Sequence, residues 1–248
     1  MRMAEEIRQE AARREERAAG GREAARREDQ AAKRSGETRR RQTAKRNYQK
    51  ELERVLEPLS REGRAPTLFL HSCCAPCSSY VLEYLSQYFR ITVYYYNPNI
   101  SPREEYDERV REVKRLIQEL PARYPIRFVE GSYEPERFYE MARGHEADPE
   151  GGERCGLCFA LRLSEAARLA AEGGYDWFTT TLTISPLKDA KRLNAIGEEM
   201  GKRFGVAFLN SDFKKRDGYK RSIELSARYH LYRQNYCGCV FSRRGQEE

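Results

Sequence analysis

The seven cysteines of the 248-residue chain lie in three tight groups that are far apart in the sequence. The groups are Cys73, Cys74 and Cys77 in HSCCAPC, Cys155 and Cys158 in CGLC, and Cys237 and Cys239 in CGC. Thiolates are ligands that zinc, copper(I) and iron–sulfur clusters prefer. We therefore predict that three loops converge on one soft-metal or redox centre, and that the protein is a metalloenzyme.

The setting of the first two groups suits thiolate ligands. HSCCAPC lies between a predicted strand and a predicted helix, with Pro76 near the helix start, and CGLC opens a second helix. Unpaired N–H groups and the dipole at a helix N-terminus lower the pKa of a nearby thiol. A gap of two residues also lets two sulfurs reach one metal ion, so structural zinc at Cys155 and Cys158 is an alternative.

Two closely spaced pairs leave further alternatives open. Adjacent side chains in a turn point in different directions, which makes the pair Cys73 and Cys74 unusual for a zinc knuckle. Both could serve one centre only if it is larger than a single ion, or if there are two centres. Cys237 and Cys239 could bind metal, form a strained and reducible disulfide, or be two buried structural thiols.

Polar residues near the ends of predicted strands are candidates for substrate binding or catalysis. Asn97 and Asn99 in NPNI follow the second predicted strand, and Tyr106 and Arg109 lie about one turn apart on the next predicted helix. Arg109 could hold a phosphate or carboxylate, or it could lie on a solvated helix face.

Two later segments combine hydroxyl, basic and aromatic groups. TTTLTISPLK offers Ser185 and Lys188, which suit a sugar or phosphate, unless the segment is an ordinary connection between strand and helix. Tyr219 and Arg233 lie in basic stretches interleaved with tyrosines. That pattern fits single-stranded RNA, although the tyrosines could instead belong to the core. The three histidines are not spaced as metal ligands.

The elements that must position these residues alternate between strand and helix. The predicted strands are TLFLHS, ITVYYYN, IRFVEG, YDWFTTTL and VAFLN, and they are separated by helical patterns. One helix begins at Ser101 as N-cap with Pro102 in its first turn, and the C-terminal tail is predicted to be mostly helical. Such alternation predicts an α/β fold with a mainly parallel, Rossmann-like sheet flanked by helices. Ligands in such sheets bind beyond the carboxyl ends of the strands.

Composition separates an N-terminal arm from the rest of the chain. Residues 1–46 are rich in Arg, Glu and Ala, and we expect a charged arm that is helical or disordered, or that contacts nucleic acid. Residues 47–248 are expected to form the catalytic domain. The formal net charge of +7 favours an acidic partner. No apolar run approaches the roughly 18 residues of a membrane span and no secretory signal is present, so we expect a cytoplasmic protein without a membrane partner.

Taken in order, five motifs resemble the cobalamin-independent, iron–sulfur type of epoxyqueuosine reductase. They are HSCCAPC, YYYNPNISPREEYDER, RCGLCFALRL, FTTTLTISPLK and YRQNYCGCVFS, and the resemblance covers nearly all of the chain after the arm. It implies reduction of epoxyqueuosine to queuosine at the wobble position of tRNA anticodons, the last step of queuosine biosynthesis. It also implies a tRNA partner, an external electron donor, and a 4Fe–4S cluster beside a second metal ion, iron or zinc.

The resemblance assigns roles to the cysteines. Cys73, Cys74, Cys155 and Cys158 would hold the cluster and its associated metal, with Cys77 as a further metal ligand. Cys237 and Cys239 would form a redox pair, and our mechanistic hypothesis takes Lys188 or Tyr106 as the proton donor. Two other classes are weighed against this one: a zinc protein that binds RNA without redox activity, and a tRNA-thiolating enzyme of the ATP-pyrophosphatase type. The latter needs a glycine-rich phosphate loop after the first strand, where this chain has cysteines.

Overall fold

The computed structural model describes residues 46–243. Almost all of the predicted arm, residues 1–46, therefore lies outside the described residues. The described residues from Asn47 to position 243 form one compact unit. Among the residues described, no helix is long and apolar enough to cross a membrane.

A five-stranded sheet organises this unit, and every pair of neighbouring strands is parallel. The strand order is β3-β2-β1-β4-β5, so the first strand is central and the chain proceeds outward to each edge in turn. The strands are β1 (Thr67–His71), β2 (Arg90–Tyr95), β3 (Arg127–Glu130), β4 (Trp177–Thr180) and β5 (Ala207–Phe208). The predicted fold class and all five predicted strands are confirmed.

Eight α-helices accompany the sheet within the described residues. They are α1 (Tyr48–Glu62), α2 (Ala75–Leu85), α3 (Arg103–Glu119), α4 (Pro135–Ala142), α5 (Glu153–Glu172), α6 (Ala190–Phe204), α7 (Gly218–Arg228) and α8 (Val240–Arg243). A 3₁₀ turn, Thr181–Ile184, follows β4 directly. The connections after β1, β2 and β4 all leave the sheet at its carboxyl edge, which is where parallel strands place ligand sites.

Two apolar cores cover the two faces of the sheet. In β1, Leu68 and Leu70 belong to the core beneath α1, α2 and α3, whereas Phe69 belongs to the core beneath α5 and α6. Successive side chains of a strand point to opposite faces, so a strand buried on both sides reads as a continuous apolar run. TLFLHS has this character, and its burial on both faces fixes where the following cysteines emerge.

Two details of the predicted elements are wrong. The N-cap of α3 is Pro102 rather than Ser101, because the first helical hydrogen bond runs from the Tyr106 N–H to the Pro102 carbonyl. The Ser101 N–H donates instead to the Gly238 carbonyl. The C-terminal tail is only partly helical, since residues 229–239 have no regular secondary structure. Arg115 of α3 donates to the carbonyls of Tyr229 and His230, so long-range contacts replace helical hydrogen bonds there.

Candidate metal centre and substrate cavity

The carboxyl edge of the sheet holds a cavity of about 310 Å³. Its walls come from the segments that follow β1, β2 and β4 and from the loop between α7 and α8. Eleven of the predicted site residues line it: Cys73, Cys74, Cys77, Asn97, Asn99, Arg109, Ser185, Lys188, Tyr219, Arg233 and Cys237. These residues are scattered over 165 positions of sequence (73 to 237, inclusive) and meet because their strands end at one edge.

Three thiols at the cavity wall lie close enough together to hold one metal ion. The sulfurs of Cys73, Cys74 and Cys77 are all within 4.8 Å of one another, and the first two are 3.8 Å apart. Cys74 is the N-cap of α2 and Cys77 lies in its first turn, so the helix start aims these sulfurs at the end of β1. Among the described residues, no other group of three or more potential metal ligands (His, Cys, Asp or Glu) brings its ligand atoms within 4.8 Å of one another.

The three thiols share negative charge unequally. Hydrogen bonds from the thiols of Cys74 and Cys77 hold the pKa of Cys73 well below its ordinary value. The same interactions raise the pKa of Cys74 to about 12 and raise that of Cys77 well above its usual range. A first thiolate therefore forms readily at Cys73, and further deprotonation calls for a cation, which a bound metal provides.

The other four cysteines line a smaller neighbouring cavity of about 20 Å³. Cys155 and Cys158 reach it from the start of α5, and Cys237 and Cys239 reach it from the segment before α8. Burial raises the pKa of Cys155 and Cys239, and it raises that of Cys158 to about 11. The two cavities share Asn99, Glu150, Arg162 and Cys237, so all seven cysteines face one continuous region.

Cations surround the thiols. Burial by itself lowers the pKa of Lys188, but attraction to negative charge on the neighbouring cysteine sulfurs raises it above its ordinary value. Arg109 is buried, pairs with Glu105 at 2.7 Å, and donates to the Cys237 carbonyl at 3.2 Å. Arg109 therefore does not lie on a solvated helix face, the alternative that its sequence position left open.

Several buried polar atoms of the cavity wall have no partner in the protein. They are Nη2 of Arg109, Oδ1 of Asn97, Oδ1 of Asn99 and Oε1 of Gln234. Buried polar groups are nearly always hydrogen-bonded, and an unpaired one is costly. Donors and acceptors left open around one cavity indicate that a polar ligand completes them.

A family model described as "Epoxyqueuosine reductase QueH" matches residues 68–245, most of the compact unit. The chain belongs to the epoxyqueuosine reductase QueH family. It is 43% identical over 200 residues to the epoxyqueuosine reductase QueH of Staphylococcus epidermidis. That alignment covers 79% of this chain and 84% of that protein. It is 41% identical over 202 residues to the protein of the same name from Streptococcus pyogenes, and that alignment covers 81% of this chain and 79% of that protein. The predicted family and the predicted class, an oxidoreductase, are confirmed.

A thiolate-bound metal centre fits the residues of this QueH family member. Three clustered sulfurs, four more in the adjoining cavity, and the nearby cations Lys188 and Arg162 provide soft ligands and balance their negative charge. The triad could hold a metal ion. All seven cysteines are free thiols in the structure, Cys237 and Cys239 included.

One predicted site residue does not reach either cavity. Tyr106 is fully buried, packs edge-on against Tyr95, and donates its hydroxyl to the Gly131 carbonyl at 3.3 Å. Helix α3 presents Tyr106 and Arg109, three residues apart, to different neighbours. The structure thus brings Lys188, and not Tyr106, to the thiols.

The residues of the cavity walls that were not predicted from the sequence include Glu150, Arg162, Leu187 and Gln234. The sequence did contain an indication that Arg162 belongs to the site. It lies four residues after Cys158, so the two side chains share one helical face, and the rest of that face is apolar. Leu187 is 76% exposed on the loop at the cavity, and an isolated exposed leucine gives no warning in a sequence.

Proposed function

We propose that this chain reduces epoxyqueuosine to queuosine at the wobble position of tRNA anticodons, using a 4Fe–4S cluster and an adjacent metal ion. The observation that carries the proposal is a single cavity lined by clustered thiols, a half-buried lysine and unpaired polar atoms. The names borne by the related proteins supply the substrate.

The reaction sets definite requirements. Removing the epoxide oxygen breaks two C–O bonds, forms a C=C bond, and releases the oxygen as water. The change consumes two electrons and two protons, which an external donor and the medium must supply in the end. The site must therefore bind a small polar ring, deliver electrons to it, and protonate the departing oxygen.

Cys73, Cys74, Cys155 and Cys158, with Cys77 as a further ligand, would hold the cluster and a second iron or zinc ion. When bound, these groups supply single electrons and a Lewis acid for the epoxide oxygen. Which of the five thiols bind the cluster and which bind the second metal ion stays a prediction. The structure separates the five as three in the larger cavity and two in the smaller one.

Lys188 is the proton donor in this proposal. It lines the larger cavity together with the three clustered thiols, and its raised pKa keeps it protonated near neutral pH. A positioned ammonium can transfer its proton as the C–O bond breaks, which prevents a free alkoxide from forming.

The unpaired atoms of the wall orient the substrate. Asn97 and Asn99 present carbonyl oxygens that can accept hydrogen bonds from ring hydroxyls, and Nη2 of Arg109 can donate one. The Asn97 side chain is itself held by a 2.8 Å hydrogen bond from its amide to the Ser72 carbonyl. A substrate group that meets pre-positioned partners loses little further freedom on binding.

Cys237 and Cys239 are proposed to relay electrons as a dithiol that can be oxidised to a disulfide. Cys237 lines both cavities, and its carbonyl is fixed by Arg109. Gly238 between them has φ of +102°, a conformation that residues with a side chain rarely adopt. Oxidation of the pair releases two electrons and two protons, which matches the requirement of the reaction.

The anticodon loop is proposed to cover the cavity mouth. Ser185 and the exposed Leu187 lie on one loop, and Tyr219 and Arg233 lie on the segment from α7 onward. Apolar and aromatic groups can stack against bases while Arg233 meets phosphate. A cytoplasmic location and the external electron donor stay predictions.

The test is anaerobic reconstitution of the full chain with ferrous iron and sulfide, followed by assay on tRNA that contains epoxyqueuosine. We expect iron and sulfide uptake, brown absorbance, and conversion to queuosine measured by nucleoside mass spectrometry. Stoichiometric zinc with no turnover would favour the RNA-binding alternative and overturn the proposal.

A further inference from the structure

Arg162 is a buried cation between the two cysteine-lined cavities. It lies on α5, is 1% exposed, and lines both cavities. Its Nε donates to Nε2 of His71 at 3.4 Å, and its Nη1 lies 3.8 Å from Sγ of Cys158. No carboxylate in the described part of the chain forms an ion pair with it.

This placement is unusual because arginine does not lose its proton in proteins and a buried, unpaired charge is strongly unfavourable. The charge of buried Arg109 is balanced by the carboxylate of Glu105, whose Oε1 lies 2.7 Å from Nε of Arg109. His71 cannot do the same for Arg162, since a histidine ring carries no negative charge. The groups near Arg162 that can take up negative charge by binding a metal are cysteine sulfurs: Sγ of Cys158 lies 3.8 Å from Nη1, and Cys237 lines both cavities together with Arg162.

His71 and Cys158 contact the guanidinium from two sides. Nδ1 of His71 lies 2.9 Å from the Thr180 hydroxyl, and its Nε2 lies 3.2 Å from the Tyr96 carbonyl and 3.4 Å from Nε of Arg162. Nη1 of Arg162 lies 3.8 Å from Sγ of Cys158 in the smaller cavity, and the Arg162 side chain lines the larger cavity as well.

We propose that Arg162 is a positioning residue that balances the charge of metal-bound thiolates from both cysteine groups and so favours the loaded and reduced state of the centre. The inference rests on the part of the proposed function that gives these thiols a metal. It assigns Arg162 to the centre as a whole, which explains why a cation without a carboxylate is kept in the interior.

The test compares Arg162→Met with the wild type in two states. Methionine keeps much of the side-chain length and removes the charge. In the metal-free, reduced protein, we expect stability against urea to be equal to or higher than wild type. After anaerobic loading with ferrous iron and sulfide, we expect the variant to lose iron to a chelator at least tenfold faster and to show a more negative midpoint potential. Arg162→Lys, which retains the charge, should restore part of the iron retention.

Arg115→Met is the matched control. Arg115 donates to Glu112, Glu119 and two backbone carbonyls, and it lines neither cavity. Its replacement should lower stability equally in the metal-free and loaded states and leave the potential unchanged.

Three outcomes decide the matter. If Arg162→Met destabilises both states equally and leaves iron retention and potential unchanged, Arg162 is only structural and the inference is overturned. If the wild type binds iron and shows the expected contrast but does not reduce epoxyqueuosine, the proposed function fails and the inference stands. A wild type that takes up no iron overturns the inference along with the metal-dependent part of the function.

Discussion

At the scale of single residues, the seven thiols differ in what they can do despite their identical chemistry. Cys73, Cys74 and Cys77 form a triad within 4.8 Å, whereas Cys237 lines both cavities next to a glycine with positive φ. Proximity to two other sulfurs suits metal binding, and a position between the cavities suits electron transfer. The two groups should therefore respond differently to substitution.

We predict that Cys74→Ala removes most of the bound iron, because one of three clustered ligands is lost. Cys237→Ser should instead retain iron but lose reduction of epoxyqueuosine in tRNA, because the dithiol cannot form a disulfide. Iron analysis and turnover, measured on the same anaerobic preparations, check both expectations. Loss of iron in Cys237→Ser would show that this residue is a ligand.

Lys188→Met should lower the turnover rate about 100-fold or more, the range expected when a general acid is removed. Its affinity for tRNA should change far less, since exposed groups at the cavity mouth make the proposed RNA contacts. Single-turnover kinetics and a filter-binding measurement separate the two effects. Lys191→Met is the control, because Lys191 is exposed and does not line either cavity.

At the scale of elements, the site depends on how β1 and β4 are aligned, since their ends carry Cys73 and the loop with Lys188. Asp176, just before β4, accepts hydrogen bonds from both the N–H and the hydroxyl of Thr67, the first residue of β1. These bonds lower the pKa of Asp176 below its ordinary value of 3.8. One exposed carboxylate therefore joins the starts of two neighbouring strands.

Asp176→Asn should reduce the free energy of unfolding at pH 7 by about 1 kcal/mol or less, because the carboxylate is exposed and screened. Since its pKa is lower in the folded state, its stabilisation is present above pH 3.8 and is lost as pH falls through the folded value. The difference between variant and wild type should thus shrink toward low pH. Urea unfolding at neutral and acidic pH measures it, and Asp107→Asn, in an exposed pair with Arg103, serves as the control.

At the scale of the whole molecule, a formal net charge of +7 suits a polyanionic substrate. Binding of tRNA should weaken steeply with salt, with log affinity falling linearly against log salt concentration. If Arg233 contacts one phosphate, Arg233→Gln should reduce the slope by about 1. Arg61→Gln, an exposed residue paired with Glu57 and absent from both cavities, should leave the slope unchanged.

The sequence by itself determined the α/β class, the five strands, and the position of the first cysteine group at the end of a strand. These features follow from local periodicity and from the rule that parallel strands end at one edge, so HSCCAPC and TTTLTISPLK could be placed without coordinates. The motifs were also specific enough to indicate the family.

Only the tertiary structure decided which side chains meet. It divided the thiols between two adjoining cavities, turned Tyr106 into the core while directing Arg109 toward Cys237, and buried Arg162 with no carboxylate partner among the described residues. It also held residues 229–239 in an irregular path through contacts with Arg115. Such contacts join residues from 25 to 128 positions apart, and their geometry depends on how helices pack on the sheet, which local sequence patterns do not encode.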